Sequence, residues 1–313
     1  MKGQASVRRD WADLVELTKP GIIRMCLLMT AGGLWLAPGS ARGATWAAAL
    51  IGSALAVGSA NAFNMVWERE GDLLMRRTRN RPVATGRLSV KVASGFAGLL
   101  GAISMLVLGL GTNLLTAGLA LFALVSYTLV YTPLKRITPL ALVIGAVPGA
   151  VPPLLGWTAA TGSLDLPGIV LFGILLVWQM PHFLAIALFR KQDYADAGIR
   201  CVPVVRGEQV AKIQAIAWAL LLIPMSMALT PLGVTGNLYM VVALVLGLGF
   251  LAWTVAGLGR ANTGKWARQV FMLSLVYLPA LTLALVADLL VDQRPQSVEQ
   301  PASVETEPAG AGS

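Results

Sequence analysis

Long apolar segments separated by short polar connections recur along most of the chain. A transmembrane helix needs about 20 mainly apolar residues, and segments of that length occur about nine times. They lie at 20–38, 44–66, 91–111, 114–132, 139–160, 167–188, 213–231, 236–257 and 269–291. No alternation of apolar and polar positions recurs at the spacing of a transmembrane barrel. The pattern predicts an all-α membrane protein with about nine transmembrane helices in one bundle.

The composition supports this prediction, and the charges orient the bundle. Of the 313 residues, 56% are hydrophobic and 12% are charged, and the net charge is +9. Most lysine and arginine residues fall before the first apolar segment or in every second connection, at 1–19, 67–91, 133–138, 189–212 and 260–268. By the positive-inside rule these parts face the cytoplasm, so nine helices leave the C-terminus outside. The basic charge therefore reflects insertion in a lipid bilayer, and no nucleic-acid partner is expected.

Composition also divides the chain into three parts. Residues 1–19 form a cytoplasmic N-terminal segment, 20–291 a polytopic membrane domain, and 292–313, rich in Pro, Glu, Ser, Ala and Gly, a disordered tail. A cleaved signal peptide is the weaker interpretation of the first helix, because acidic residues precede it and its apolar stretch is long. The two cysteines, Cys26 and Cys201, provide neither a disulfide framework nor a metal-binding motif.

Three polar residues at the end of the second apolar segment share one helical spacing. Asn64, Glu68 and Asp72 follow each other at intervals of four, so on a helix they lie on one face over about 12 Å. An amide and two carboxylates in a row suit Mg²⁺, which binds one or two carboxylates together with substrate phosphates. The alternative is a solvated helix end, but Asn64 lies inside the apolar run. We predict that all three residues are catalytic metal ligands.

A cluster of arginines follows these three residues. Arg77 and Arg81 precede Pro82, which ends the helix and lets the segment fold back over a site. Arginine binds phosphate oxygens with two hydrogen bonds, so both arginines are predicted diphosphate ligands. Lys135 and Arg136, at the end of a helix on the same side, can reach the same anion, although the positive-inside rule alone explains them. The sequence thus predicts a metal–diphosphate site at a membrane face.

A second polar region surrounds the only histidine of the chain, near the end of the sixth apolar segment. His182 follows Pro181, which frees a backbone carbonyl group and can kink the helix towards a cavity. Three roles for His182 stay open: a catalytic base, a ligand of tetrapyrrole iron, or a hydrogen bonder within the bundle. Farther along, Asp193 is a candidate catalytic ligand of a second metal ion, with Arg190 and Lys191 on the phosphate. Two charged helix ends, four helices apart, indicate a repeat whose halves face a shared cavity.

Taken in order, these motifs resemble the protohaem IX farnesyltransferases (haem O synthases), a family within the UbiA superfamily of intramembrane prenyltransferases. The matching stretches are collinear between residues 16 and 205. They lie at 16–20, 64–72, 77–87, 131–133, 145–157, 178–183 and 189–205. Glu68 departs from the pattern, since many superfamily members have Asp there, and Gly21 stands where a larger, often basic, residue is common.

The resemblance implies a fold of nine transmembrane helices around a central cavity, with acidic motifs at the cytoplasmic ends of the second and sixth. It implies transfer of a farnesyl group from farnesyl diphosphate to a vinyl group of haem B. The product would be haem O, the precursor of haem A in terminal oxidases. Mg²⁺ on the acidic motifs would be the cofactor, with haem B as a substrate. The implied location is the cell membrane, with a haem A synthase as a candidate partner.

Two alternatives stay open. Another UbiA-type prenyltransferase would use an aromatic quinone precursor or a chlorophyllide as acceptor, but quinone enzymes more often carry a second motif rich in Asp. A transporter of an anionic lipid or metabolite would explain the apolar segments and basic connections, but not the acidic residues beside arginines. Transporters also often have helices broken at mid-membrane, whereas the polar residues here cluster at one face.

Overall fold

Residues 11–39, 41–260 and 262–291 are described by a computed structural model of the protein, and all their regular elements are helices. The principal helices are α1 (Pro20–Leu36), α2 (Gly43–Leu74), α3 (Val90–Gly111), α4 (Leu114–Leu134), α5 (Ala141–Thr161), α6 (Leu166–Phe189), α7 (Glu208–Met227), α8 (Asn237–Val255) and α9 (Thr263–Val291). Eight of them are long and apolar enough to cross a membrane, and α1, with 17 residues, is shorter. Each predicted segment thus corresponds to one helix within the described ranges. The predicted tail, 292–313, lies outside them.

Two helices differ from their predicted limits near the predicted site. α2 continues to Leu74, although its predicted end is residue 66, because charged residues end an apolar run without ending a helix. The last part of α4 contains a π-helical stretch, Ser126–Tyr131, before Thr132–Leu134 returns to the α form. Such π-helical turns occur frequently at functional sites.

Close backbone approach joins α1 to α5 in the first half of the bundle. A Cβ atom on Gly33 would lie 2.0 Å from the carbonyl oxygen of Pro153, and one on Gly156 would lie 1.9 Å from that of Thr30. Such contacts permit only glycine, and small residues are typical of close helix pairs in membranes. α1 also packs on α2, while α2, α3 and α4 follow side by side, and α6 to α9 form the second half.

Both ends of α8 are neutralised by buried charges from neighbouring helices. Asp288 of α9 accepts hydrogen bonds from the backbone N–H groups of Gly236 and Tyr239, the second at 3.1 Å. At the other end, Lys212 of α7 donates to the carbonyl oxygens of Gly257 (2.9 Å) and Arg260 (3.4 Å). A helix leaves N–H groups unpaired at its start and carbonyl groups at its end, so the two charges complement its dipole.

The end of the bundle at which α2, α4 and α6 terminate, which we call the charged end, is tied together by polar contacts. Arg87 donates to both carboxylate oxygens of Asp13 at 3.1 Å, and this links the helix at 11–18 to the segment after α2. The backbone N–H of Arg200 donates to the carbonyl oxygen of Lys135 at 2.9 Å. The segments that follow three different helices therefore meet over one region.

Candidate active site

The three predicted metal ligands lie on one face of α2, as their spacing indicates. Asn64 and Asp72 are buried, with 1% and 0% exposure, and the Glu68 side chain is 20% exposed. A solvated helix end would leave these side chains in water, so their burial excludes that alternative. We call these three residues the acidic stripe.

The segment after α2 folds back over the acidic stripe, in agreement with the turn predicted at Pro82. The Thr78 hydroxyl donates to the backbone carbonyl oxygen of Asp72 at 3.0 Å. Arg81 donates to both carboxylate oxygens of Asp72, at 2.7 and 2.8 Å, and lies 3.7 Å from Glu68. A fully buried carboxylate requires a charged partner, and this two-point ion pair with Asp72 supplies it.

Glu68 is paired with a lysine that directly follows α4. Nζ of Lys135 lies 2.6 Å from Oε1 of Glu68 and 4.3 Å from the ring centre of Tyr131. Burial opposes the charged form of this lysine, but Tyr131 and Glu68 outweigh it and raise the pKa of Lys135 above its usual range. Lys135 therefore places a positive charge beside the stripe. Arg136 lines a neighbouring pocket instead, where its guanidinium lies against Gly71.

Lys19, which the sequence marks only through the motif at 16–20, contacts the third member of the stripe. Its Nζ donates to Oδ1 of Asn64 at 2.7 Å, and Nδ2 of Asn64 donates to the Thr132 hydroxyl at 3.4 Å. The backbone of Lys19 is left-handed (φ 52°) directly before α1, which is uncommon for a residue with a side chain. Burial, together with Arg81, lowers the pKa of Lys19 to about 7.

Every member of the acidic stripe thus contacts at least one basic side chain. The two carboxylates and the amide oxygen are hard donors, which suit Mg²⁺ when substrate phosphates complete its shell. Among the residues that the structure describes, no three His, Cys, Asp or Glu side chains are grouped closely enough to hold a metal ion. The stripe therefore fits a Mg²⁺ ion that is shared with a diphosphate, rather than one held by the protein alone.

Two cavities lie along α2, one at the acidic stripe and one before it. The first, which we call the stripe cavity, measures about 240 Å³ and is lined by Glu68, Asp72, Arg81 and Lys135. Tyr194 and Arg200 of the connection after α6 also line it, so the connections after α2 and α6 share one cavity. The second cavity is mainly apolar and is lined by Asn61 and by mostly aliphatic side chains of α1, α2, α4 and α5. A charged cavity beside an apolar one suits a ligand with a charged head and a hydrocarbon tail.

The predicted ligands that follow α6 lie apart from the stripe. Asp193 pairs with Arg190 at 3.3 Å, and Lys191 pairs with Glu208 at 3.0 Å. None of these four residues lines the stripe cavity, whereas Arg77 does. The structure therefore brings Arg77 to the stripe but places Asp193, Arg190 and Lys191 elsewhere.

His182 is hydrogen-bonded inside the second half of the bundle. Its Nδ1 lies 2.7 Å from the Ser274 hydroxyl oxygen, which also lies 2.6 Å from the Phe271 carbonyl oxygen. A hydroxyl has one hydrogen to donate. Because Ser274 donates that hydrogen to Phe271, it accepts from Nδ1–H, and the lone pair of the ring lies on Nε2. The hydrogen-bonding role of His182 is therefore observed, and the roles of base and iron ligand stay predictions.

Sequence comparison places this arrangement in a family. The profile of the UbiA prenyltransferase family matches residues 26–276. The chain belongs to the UbiA prenyltransferase family. A protoheme IX farnesyltransferase of Myxococcus xanthus is 47% identical over 277 residues, which cover 88% of this chain and 94% of that protein. One of Sorangium cellulosum is 50% identical over 241 residues, covering 77% and 86%.

Solved structures agree with the fold. A structure of a digeranylgeranylglyceryl phosphate synthase has a TM-score of 0.77 at 15% identity and covers 90% of this chain and 98% of that one. A UbiA homologue from Archaeoglobus fulgidus, bound to DMAPP and Mg²⁺, has a TM-score of 0.62 at 15% identity, with 88% and 99% covered. The all-α, UbiA-type fold predicted from the sequence is confirmed.

Proposed function

We propose that this chain transfers a farnesyl group from farnesyl diphosphate to a vinyl group of haem B and so makes haem O. The observation that carries this proposal is the buried acidic stripe, each member of which is held by a cation. The stripe cavity suits a diphosphate, and the apolar cavity farther along α2 suits a prenyl chain. The relatives named protoheme IX farnesyltransferase, at 47% and 50% identity, support the farnesyl donor and the haem acceptor.

The acidic stripe is the proposed Mg²⁺ site. Asn64, Glu68 and Asp72 offer oxygen atoms along one face of α2 and would hold the ion together with the diphosphate of the donor. When bound, Mg²⁺ neutralises the diphosphate and makes it a better leaving group. Asp193 stays a predicted ligand of a second ion, and it lies outside the stripe cavity.

The cations that hold the stripe would also bind the diphosphate. Lys19, Arg81 and Lys135 each lie within 2.8 Å of a stripe oxygen, so each exchanges one partner for a phosphate oxygen with little movement. Arg81 offers a two-point contact, and the lysines offer point charges. Arg77, on the wall of the same cavity, adds a fourth positive charge. Three further predicted phosphate ligands do not line this cavity: Arg136, Arg190 and Lys191.

The proposed reaction joins two carbon atoms beside the acidic stripe. The bond between C1 of the farnesyl group and the diphosphate oxygen breaks, and the diphosphate leaves with the electron pair. The terminal vinyl carbon of haem B forms the new bond to C1, and water then adds to the neighbouring carbon and releases a proton. Because Asp72 is fully buried and Glu68 nearly so, the stripe stabilises the departing charge in surroundings where electrostatic interactions are strong.

We also propose that the charged end faces the cytoplasm in the cell membrane, with the C-terminus outside. The concentration of lysine and arginine in the N-terminal segment and every second connection supports this orientation. Since haem O is the precursor of haem A, a haem A synthase is the expected partner that consumes the product.

Haem analysis tests the proposal. Membranes that contain this chain are incubated with haem B, farnesyl diphosphate and Mg²⁺, with and without EDTA. The haem is then extracted and its mass is measured by mass spectrometry. We expect the mass of the haem to increase by one hydroxyfarnesyl unit only in the samples without EDTA, where Mg²⁺ is not chelated. Unchanged haem from folded protein would overturn the proposal, and aromatic acceptors would then test the quinone-type alternative. If the mass gain also occurred in the presence of EDTA, the proposed metal requirement would be wrong, but the two proposed substrates would be supported.

A further inference from the structure

A third cavity, between the segment after α2, the end of α6 and the start of α9, carries two arginines beyond those assigned to the prenyl donor. It measures about 450 Å³, within the usual range for small-molecule sites. Its walls include three arginines, Arg77, Arg190 and Arg268, and two phenylalanines, Phe189 and Phe271. We call it the arginine cavity.

The positive charge of the arginine cavity is largely unpaired. Asp193, the one carboxylate among the described residues that line the cavity, pairs with Arg190 at 3.3 Å. Arg77 and Arg268 form no ion pair with any carboxylate in the described part of the chain. Both are exposed. Unpaired guanidinium groups at one mouth suit a ligand that carries carboxylate or phosphate oxygens.

Aromatic rings form the apolar side of the same cavity. Phe189 and Phe271 meet edge to face, with ring centres 5.7 Å apart. The guanidinium carbons of Arg190 and Arg268 lie 5.6 and 5.9 Å from the centre of the Phe189 ring. Aromatic surface favours an apolar or planar ligand body. A ligand that matches both features has a large apolar body with anionic groups along one edge.

The arginine cavity adjoins the stripe cavity. Met75, Arg77, Ile186 and Tyr194 line both. Two bound substrates react only when the reacting atoms approach to about 3–3.5 Å. An acceptor in the arginine cavity and a donor in the stripe cavity would meet at this shared wall.

We propose that the arginine cavity binds haem B, with its two propionate groups on Arg268 and Arg190, away from the shared wall, and its porphyrin against Phe189 and Phe271. This rests on the proposed function, which supplies haem as the acceptor, and adds the place where haem binds. The propionates then stay at the charged end, while a vinyl group reaches the wall shared with the stripe cavity. Arg190, predicted from the sequence as a diphosphate ligand, is assigned to the acceptor instead.

Haem titration tests this assignment without turnover. Purified protein in phosphatidylcholine nanodiscs, with EDTA and without farnesyl diphosphate, is titrated with haem B or with its dimethyl ester, and Soret absorption is recorded. The ester has no charged propionates. We expect Arg268→Ala to weaken binding of haem B by about fivefold and to leave binding of the ester unchanged. Arg268→Lys keeps the charge and should recover part of the loss.

Arg260→Ala is the matched control. This arginine stacks on Trp253 at 4.8 Å and donates to Gln269 at 3.0 Å, outside the arginine cavity. Its loss should change the affinity for neither ligand. Thermal unfolding of Arg268→Ala should match the unsubstituted protein, because the side chain is exposed.

If Arg268→Ala lowered the affinity for haem B and for its dimethyl ester equally, or lowered neither affinity, the assignment would be overturned. So would Arg268→Ala weakening the binding of phosphatidylglycerol vesicles but not of haem, because the cavity would then hold a lipid phosphate. If haem binding depended on the propionate charges but no farnesyl transfer occurred, the proposed haem site would be supported and the proposed reaction would be wrong. If Arg268→Ala transferred farnesyl groups with an unchanged KM for haem, the proposed haem site would be wrong, but the proposed reaction would be supported.

Discussion

The charged ends of α2 and α6 resemble each other in sequence but differ in how their charges are paired. After α2, Glu68 and Asp72 are buried or nearly so, and their ion pairs are 2.6 and 2.7 Å long. After α6, Arg190 and Asp193 are 44% and 29% exposed and pair at 3.3 Å, with unpaired arginines nearby. Buried carboxylates held by cations can exchange them for a metal ion, whereas exposed arginines in excess attract anions. This difference is the basis of our proposal that the end of α2 binds the donor and the end of α6 the acceptor.

The largest effect is expected for Asp72→Asn, which removes the charge that pairs with Arg81 and that is proposed to hold the metal ion. Turnover should fall by at least about a hundredfold to a thousandfold, as for loss of other preorganised electrostatic groups, while the protein stays folded in membranes. Haem mass analysis measures turnover, and thermal unfolding measures the fold. Asp196→Asn, at an exposed position after α6, is the matched control. Normal activity in Asp72→Asn would contradict the metal site.

Substitutions of Glu68 separate the length of the side chain from its charge. Glu68→Asp keeps the carboxylate but draws it away from Lys135, which lies 2.6 Å from it. We expect activity to fall about tenfold, and about a hundredfold in Glu68→Gln, where the charge is lost. Initial rates at saturating Mg²⁺ give the comparison. Equal rates in the two variants would show that charge at this position is unimportant.

A smaller effect is expected at His182, because the ring supports Phe271 on the wall of the arginine cavity. His182→Ala should lower kcat by about fivefold through displacement of that wall. His182→Asn, which keeps a donor for Ser274, should lose less. The absorption spectrum of bound haem decides the role left open by the sequence. A Soret band changed in both variants would support iron ligation, and an unchanged band would exclude it.

The smallest effect is expected for Lys191→Ala. Lys191 and Glu208 form an ion pair with side chains 42% and 39% exposed, and such pairs contribute at most about 1 kcal/mol. The KM for farnesyl diphosphate should change by less than about twofold. A tenfold rise would instead support the sequence-based prediction that Lys191 binds the diphosphate.

Local signals account for what the sequence predicts well. Long apolar runs locate the helices, and the interval of four places Asn64, Glu68 and Asp72 on one face of α2. The fold-back after α2 is predictable from Pro82, because a proline restricts the backbone of the residues next to it. Tertiary contacts escaped prediction: Lys19 reaches Asn64 across 45 positions of the chain, and no pattern near Lys19 signals that contact.

The acceptor side was harder to predict, for a related reason. The acidic and basic residues after α6 resemble those of the stripe in sequence. The sequence does not show, however, which cavity each of their side chains lines. Arg268 lies at the start of an apolar helix, where the positive-inside rule explains any arginine. Only the packing of α9 against α6 brings Arg268 beside Phe189.

Initial-rate kinetics with both substrates varied test the division between donor and acceptor ends most directly. Arg81→Ala removes a cation of the stripe cavity, and Arg268→Ala removes one of the arginine cavity. We expect Arg81→Ala to raise the KM for farnesyl diphosphate by about thirtyfold and Arg268→Ala to raise the KM for haem B by about fivefold. Each variant should leave the other KM nearly unchanged. If both variants raised the same KM, the two ends would not divide the substrates.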